Sequence, residues 1–124
     1  MKIICNQKLL ANKIGISQKA INGKTTLELL KGILLSAKDG QLKLTGYDLA
    51  IGIETYTQAE VIEEGEIVVN ARLFGDIIRK LPDSFVEIET DAENNVYINC
   101  LNSRFKIKGD SAKEYPRLPE VNEE

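Results

Sequence analysis

The sequence predicts an α+β domain made of a duplicated strand–helix–three-strand unit, with two helices packed on one side of antiparallel sheets. Three observations lead there. "IICNQKLLANKI" (3–14) aligns with "IVVNARLFGDII" (67–78) at an offset of 64 residues. Apolar residues recur at helical spacing directly after an asparagine in both stretches. Short alternating segments, separated by turn residues, then follow each helix.

Residues 2–5 form the first predicted strand, ended by Asn6, an N-cap for the helix over "QKLLANKIGISQKAI". Leu10, Ile14, Ser17 and Ile21 make its apolar stripe, with Leu9, Ile16 and Ala20 beside it. Lys8, Asn12, Gly15 and Lys19 lie opposite. "NGK" at 22–24 is a turn. "LELLKGILLSAK" suits helix or strand, and Gly32 with the following Asp39-Gly40 favours a strand near 30–37 ahead of a two-residue hairpin turn. "QLKLTG" and "LAIGIETYT" alternate as strands joined by Tyr47-Asp48, and "EVIEEG" is an acidic loop.

The pattern then restarts. "IVVN" is a strand, and "ARLFGDIIRKL" a helix whose Leu73, Phe74, Ile77, Ile78 and Leu81 share a face opposite Arg72 and Arg79. Ile3 matches Ile67, Asn6 matches Asn70, Lys8 matches Arg72, and Ile14 matches Ile78. "FVEIET", "VYINC" and "RFKIKG" are three further strands. The tail "SAKEYPRLPEVNEE" reads as a linker.

The charge is segregated. The first helix carries Lys8, Lys13 and Lys19 without an acid; the second carries Arg72, Arg79 and Lys80 against Asp76. The helices therefore hold +5 within a chain of net charge −3 and pI about 5.1, and everything else sums to −8. Side by side, their outward faces would form one basic surface on an acidic body. Such a surface is either simply solvated or a binding face for phosphates. It carries no glycine-rich phosphate loop, base-reading motif or exposed aromatic residue. Contacts would then follow the backbone of duplex DNA without regard to sequence.

Composition argues against other classes. The 124 residues are 43% hydrophobic and 28% charged, as in a soluble globular domain. No apolar run reaches membrane length or resembles a signal peptide, so a cytoplasmic location without membrane partners is expected. With no histidine and only Cys5 and Cys100, a zinc site is not expected, and both thiols read as buried apolar residues. Asp39, Asp48, Glu54 and Asp91 fall at turns or on solvent-facing strand positions, and no serine or cysteine has a histidine partner. No catalytic residue, metal or cofactor is expected.

Three stretches carry a family resemblance. "LKLTGYDLAIGIET" (42–55), "NARLFGDIIRKLP" (70–82) and "NSRFKIKGDSAKEYPRLPEV" (102–121) resemble, in order, the corresponding parts of the bacterial DNA polymerase III beta subunit, the sliding-clamp family. The resemblance covers essentially the whole chain and implies a DNA-clamp (processivity-fold) domain. It further implies a ring of two subunits around duplex DNA, with helices lining the hole and sheets forming the wall. Such a ring tethers the polymerase, is opened by a clamp loader, and has no enzymatic activity. Residues 1–116 would be the N-terminal domain, and 117–124 the start of a linker to a second domain absent from this chain. An isolated domain of this kind is expected to be monomeric.

Carried over by position, the resemblance makes Lys24, Arg72 and Arg79 DNA-facing. Lys8 and Lys19 follow by duplication and helix face. It also makes "RFKIK" an edge strand, with Arg104, Phe105 and Ile107 at a subunit interface. Alternation alone leaves Phe105 and Ile107 free to point into this domain's own core. The competing assignment is a non-enzymatic protein-interaction module working through its edge strands.

Overall fold

A computed structural model describes residues 1–21, 31–47 and 51–116. The elements run β1 (Lys2–Asn6), α1 (Gln7–Gln18), β2 (Gly32–Lys38), β3 (Gln41–Tyr47), β4 (Gly52–Glu63), β5 (Gly65–Asn70), α2 (Ala71–Lys80), β6 (Phe85–Thr90), β7 (Asn95–Cys100) and β8 (Ser103–Lys108). The duplicated strand–helix–three-strand order is therefore present twice.

Both helices start as the sequence dictates. The Asn6 side chain accepts from Leu9 N at 3.0 Å, and Asn70 accepts from Leu73 N at 2.9 Å. Each cap satisfies an amide that the first helical turn leaves without a partner, worth about 1 kcal/mol. The β2–β3 hairpin turns at Asp39 and Gly40, both at positive φ (54° and 73°), as a tight hairpin of this hand requires.

The eight strands form one antiparallel sheet in the order β5-β2-β3-β4-β1-β6-β7-β8. Each repeat lends its first strand to the other: β1 pairs with β6 and β5 with β2. The long β4 turns the corner, pairing with β3 over residues 52–58 and with β1 over 59–63. The acidic stretch expected as a loop is thus mostly strand. Glu60 faces solvent and Val61 packs against the core, so the alternation continues through residue 61, after which Ile62 and Glu63 are both exposed.

The symmetry extends to single pairs. Ile4 is paired with Glu87 and Glu60; its counterpart Val68 is paired with Leu34 and, through an isolated bridge, with Asp110.

Both helices lie on the inner face. Leu10 and Ile14 of α1 and Phe74, Ile77 and Ile78 of α2 join the inward residues Ile3, Cys5, Leu35, Leu42, Leu44, Val86, Ile88, Val96 and Ile98 in one core. Leu9 and Leu73 depart from expectation. They occupy matched positions and stay half-exposed, at 50% and 46%. The sheet covers a narrower arc of each helix than the apolar stripe suggested.

The tail departs as well. A 3₁₀ turn at Ala112–Glu114 lays the chain on the outer face of the sheet, where Ala112 and Tyr115 cover Leu34 and Val68. The Tyr115 hydroxyl is 3.2 Å from both Gly32 O and Thr45 O, and burial pushes its pKa up to about 12. Packing on the body therefore continues to residue 115.

Candidate nucleic-acid interface

The two helices lie antiparallel. Gln7 Nε2, at the start of α1, donates to Ile78 O near the end of α2 at 2.8 Å. Gln18 Nε2, at the end of α1, donates to Ala71 O at the start of α2 at 3.3 Å. Side-chain amides thus replace charge in the seam, and the lysines and arginines are left to the outer surface.

Lys8, Lys19, Arg72, Arg79 and Lys80 are all exposed on this pair of helices. Lys19, Arg72 and Lys80 have no side-chain hydrogen bond or ion pair among the described residues. Lys8 Nζ lies 3.2 Å from Asp83 Oδ2, with both side chains largely in solvent, an arrangement worth little and readily exchanged. Arg79 is held by Asp76 at 3.4 Å and by Gln18. Lys24 and the turn expected at 22–24 lie outside the described residues, as does Asp48.

An open recess of about 310 Å³ sits where the end of α1 meets the start of α2, lined by Gln18, Ile21, Lys31, Asn70, Ala71 and Arg72.

The other face of the sheet has the opposite sign along β4, β5 and β6. Glu54, Glu60, Glu66, Glu87 and Glu89 occupy outward positions there, directly opposite or beside outward-facing partners such as Ile4, Ser36 and Thr45. Lys43 answers one of them, 3.6 Å from Glu54. Segregation of this kind directs a polyanion to the helices and away from the sheet.

Strand stretches with no described strand on their far side include residues 52–58 of β4 and 103–108 of β8, in corresponding places of the two repeats; β5, at the other end of the order, has only the isolated bridge from Val68 to Asp110 there. On β8, Arg104 lies opposite Asn99 and faces outward, while Phe105 and Ile107 lie opposite the buried Ile98 and Val96. Ile107 packs partly against the domain's own core. Phe105 remains 40% exposed at the edge.

Among the described residues no group of three His, Cys, Asp or Glu side chains could hold a metal ion. Burial raises the Cys5 pKa to about 12 and also raises that of Cys100, so both thiols are poor nucleophiles. No described helix is long and apolar enough to cross a membrane.

Residues 1–119 match the model of the DNA polymerase III beta subunit, N-terminal domain. The chain belongs to that family. It is 35% identical over 123 residues to the beta sliding clamp of Streptomyces coelicolor, an alignment covering 99% of this chain and 32% of that protein. Among solved structures, a DNA polymerase sliding clamp from Bacillus subtilis superposes with a TM-score of 0.95 at 32% identity, covering 99% of this chain and 34% of that one. A chain assigned as a DNA polymerase III beta subunit from Eubacterium rectale gives 0.95 at 38% identity, covering 98% and 33%. The chain thus spans about a third of the length of these sliding clamps.

Sequence reasoning missed Gln18 and Gly75, which neither charge nor periodicity marks. Gln18 bonds Ala71 O and Arg79 in the other repeat, while Gly75 lies against Arg79 of its own helix.

Proposed function

We propose that this domain is the first segment of a ring-shaped sliding clamp that encircles duplex DNA and tethers the replicative polymerase. The observation that carries this is the cationic face of the antiparallel helix pair, set against an acid-rich sheet. A ring that encloses DNA gains nothing from a tight grip. Several long, exposed cations offer phosphates a shallow, salt-screened attraction that slides without reading sequence.

In this reading Lys24, Arg72 and Arg79 face the DNA, with Lys8 and Lys19 alongside. The open edges of β4 and β8 meet neighbouring domains, and Arg104, Phe105 and Ile107 lie at the contact with a second subunit. Residues 1–116 form the domain and 117–124 lead to the next. The DNA polymerase III subunits and a clamp loader are partners of the complete cytoplasmic ring. The domain itself is monomeric in dilute solution and carries out no reaction.

The test is to reverse Lys24 and Arg72 to Glu in a complete clamp and measure retention on circular duplex DNA together with processive synthesis. Both should fall, most visibly as salt is raised; unchanged retention contradicts the reading. The open strand edges favour a second reading, a module that binds proteins by strand addition. Binding of that kind responds little to ionic strength.

A further inference from the structure

Gly75 stands in the interior of α2, where glycine is the poorest helix former after proline. A Cβ placed there would lie 3.0 Å from Nη1 and 3.1 Å from Nη2 of Arg79. The Arg79 side chain therefore runs back along its own helix, the direction helical side chains favour, and lies across the bare backbone of Gly75. Its Nη1 donates to Asp76 Oδ1 at 3.4 Å, and its Nη2 donates to Gln18 Oε1 on the other helix. The same Gln18 amide donates through Nε2 to Ala71 O. One glutamine thus bridges α1 to both the first residue of α2 and the guanidinium.

The chemistry of this bed is selective. Arg79 already pairs with the Asp76 carboxylate; a second carboxylate at position 18 would orient the guanidinium but add a further negative charge beside it, whereas a neutral amide orients it without adding one. Two of the five guanidinium donors suffice for Asp76 and Gln18, so the rest of the fork stays available. The Arg79 side chain is 44% exposed. The first repeat has no such bed: Ala11, Asn12 and Gly15 stand where Gly75, Asp76 and Arg79 stand in the second, and a Cβ at Gly15 would meet nothing within 4 Å.

We propose that Gln18 is a positioning residue which, with Gly75 and Asp76, holds the Arg79 guanidinium over the seam between the helices, preorganised to receive a phosphate. The proposal rests on the helix pair facing DNA. It assigns Gln18 a role in that binding though it carries no charge.

The experiment titrates a short fluorescent duplex with the 124-residue chain over a range of KCl concentrations, for wild type and for Gln18→Ala, Gln18→Glu, Arg79→Gln and Arg72→Gln. The mobility of the Arg79 Nε–H group is followed by ¹⁵N relaxation. Arg79→Gln should reduce the slope of log K against log salt by about 0.9, the loss of one phosphate contact. Gln18→Ala should leave that slope unchanged, free the Arg79 Nε–H, and weaken binding about three-fold, the effect of having to immobilise one flexible side chain. Gln18→Glu should keep Arg79 ordered and reduce the slope toward that of Arg79→Gln. Wild-type affinity and an ordered Arg79 in Gln18→Ala, with Arg79→Gln still weakened, overturn the positioning role alone. Indifference of duplex binding to both Arg72→Gln and Arg79→Gln overturns the DNA-facing reading and this proposal with it.

Discussion

Val68 and Asp110 exchange both backbone hydrogen bonds, at 3.0 and 2.8 Å, and so repeat at the second half's corner the pairing of Ile4 with Glu60 at the first. In the first repeat one continuous strand, β4, makes the corner. In the second, the chain leaves β8, passes Gly109 and touches β5 at this single bridge. The eight strands come close to a closed ring, and the stretches left open are those that leave the domain's sides free.

Gly109 controls that bridge. A Cβ there would come within 2.9 Å of Ile67 Cγ1 and 3.0 Å of Val68 O. Gly109→Ala should destabilise the domain by about 1–3 kcal/mol, the usual cost of overpacking a close contact. In hydrogen-exchange measurements the amides of Val68 and Asp110 should lose protection, while those pairing Ile4 with Glu60 keep it.

Tyr115→Phe tests how the tail is held. The lost hydroxyl serves Gly32 O and Thr45 O from a buried position, so the variant should lose about 1–2 kcal/mol. A urea melt reads this as a lower midpoint with an unchanged slope.

Asp91 sets an acid limit on stability. Hydrogen bonds from the Asn95 side-chain amide and backbone N–H, with others from Tyr97 and Glu93, lower its pKa from 3.8 to about 2. The unfolded chain therefore binds the proton more readily than the folded one between these values. The contribution is present in full above about pH 4 and is lost as pH falls toward about 2. Asp91→Ala should lower the melting temperature at pH 7 and show a shallower loss of stability across that acid range than wild type.

Much of this was legible in the residues. Asn6 and Asn70 announced both helices, Asp39-Gly40 announced the hairpin, and the 64-residue offset announced the repeat, because caps, turns and periodicity act over a few neighbours. The exchange of β1 and β5 between repeats was not legible, since it pairs residues 28 to 87 positions apart by packing alone. Leu73 looked like a core residue because helical spacing does not reveal how wide an arc the sheet covers. Glu60 and Glu63 looked like loop residues because acids on the solvent face of a strand resemble acids in a turn. The tail's prolines and glutamates masked Tyr115, whose partners lie on β2 and β3. Gln18 was invisible for the same reason, since its partners lie in the other repeat.

DNA binding by the helix pair is tested most directly by a map of backbone amide shifts as the ¹⁵N-labelled chain is titrated with duplex DNA at low salt. Perturbations should concentrate on the outward residues of α1 and α2, around Lys8, Lys19, Arg72, Arg79 and Lys80, independent of duplex sequence and fading as salt is raised. Shifts centred on the sheet around Glu60 and Glu87, or on the β8 edge, or unaffected by salt, would contradict it.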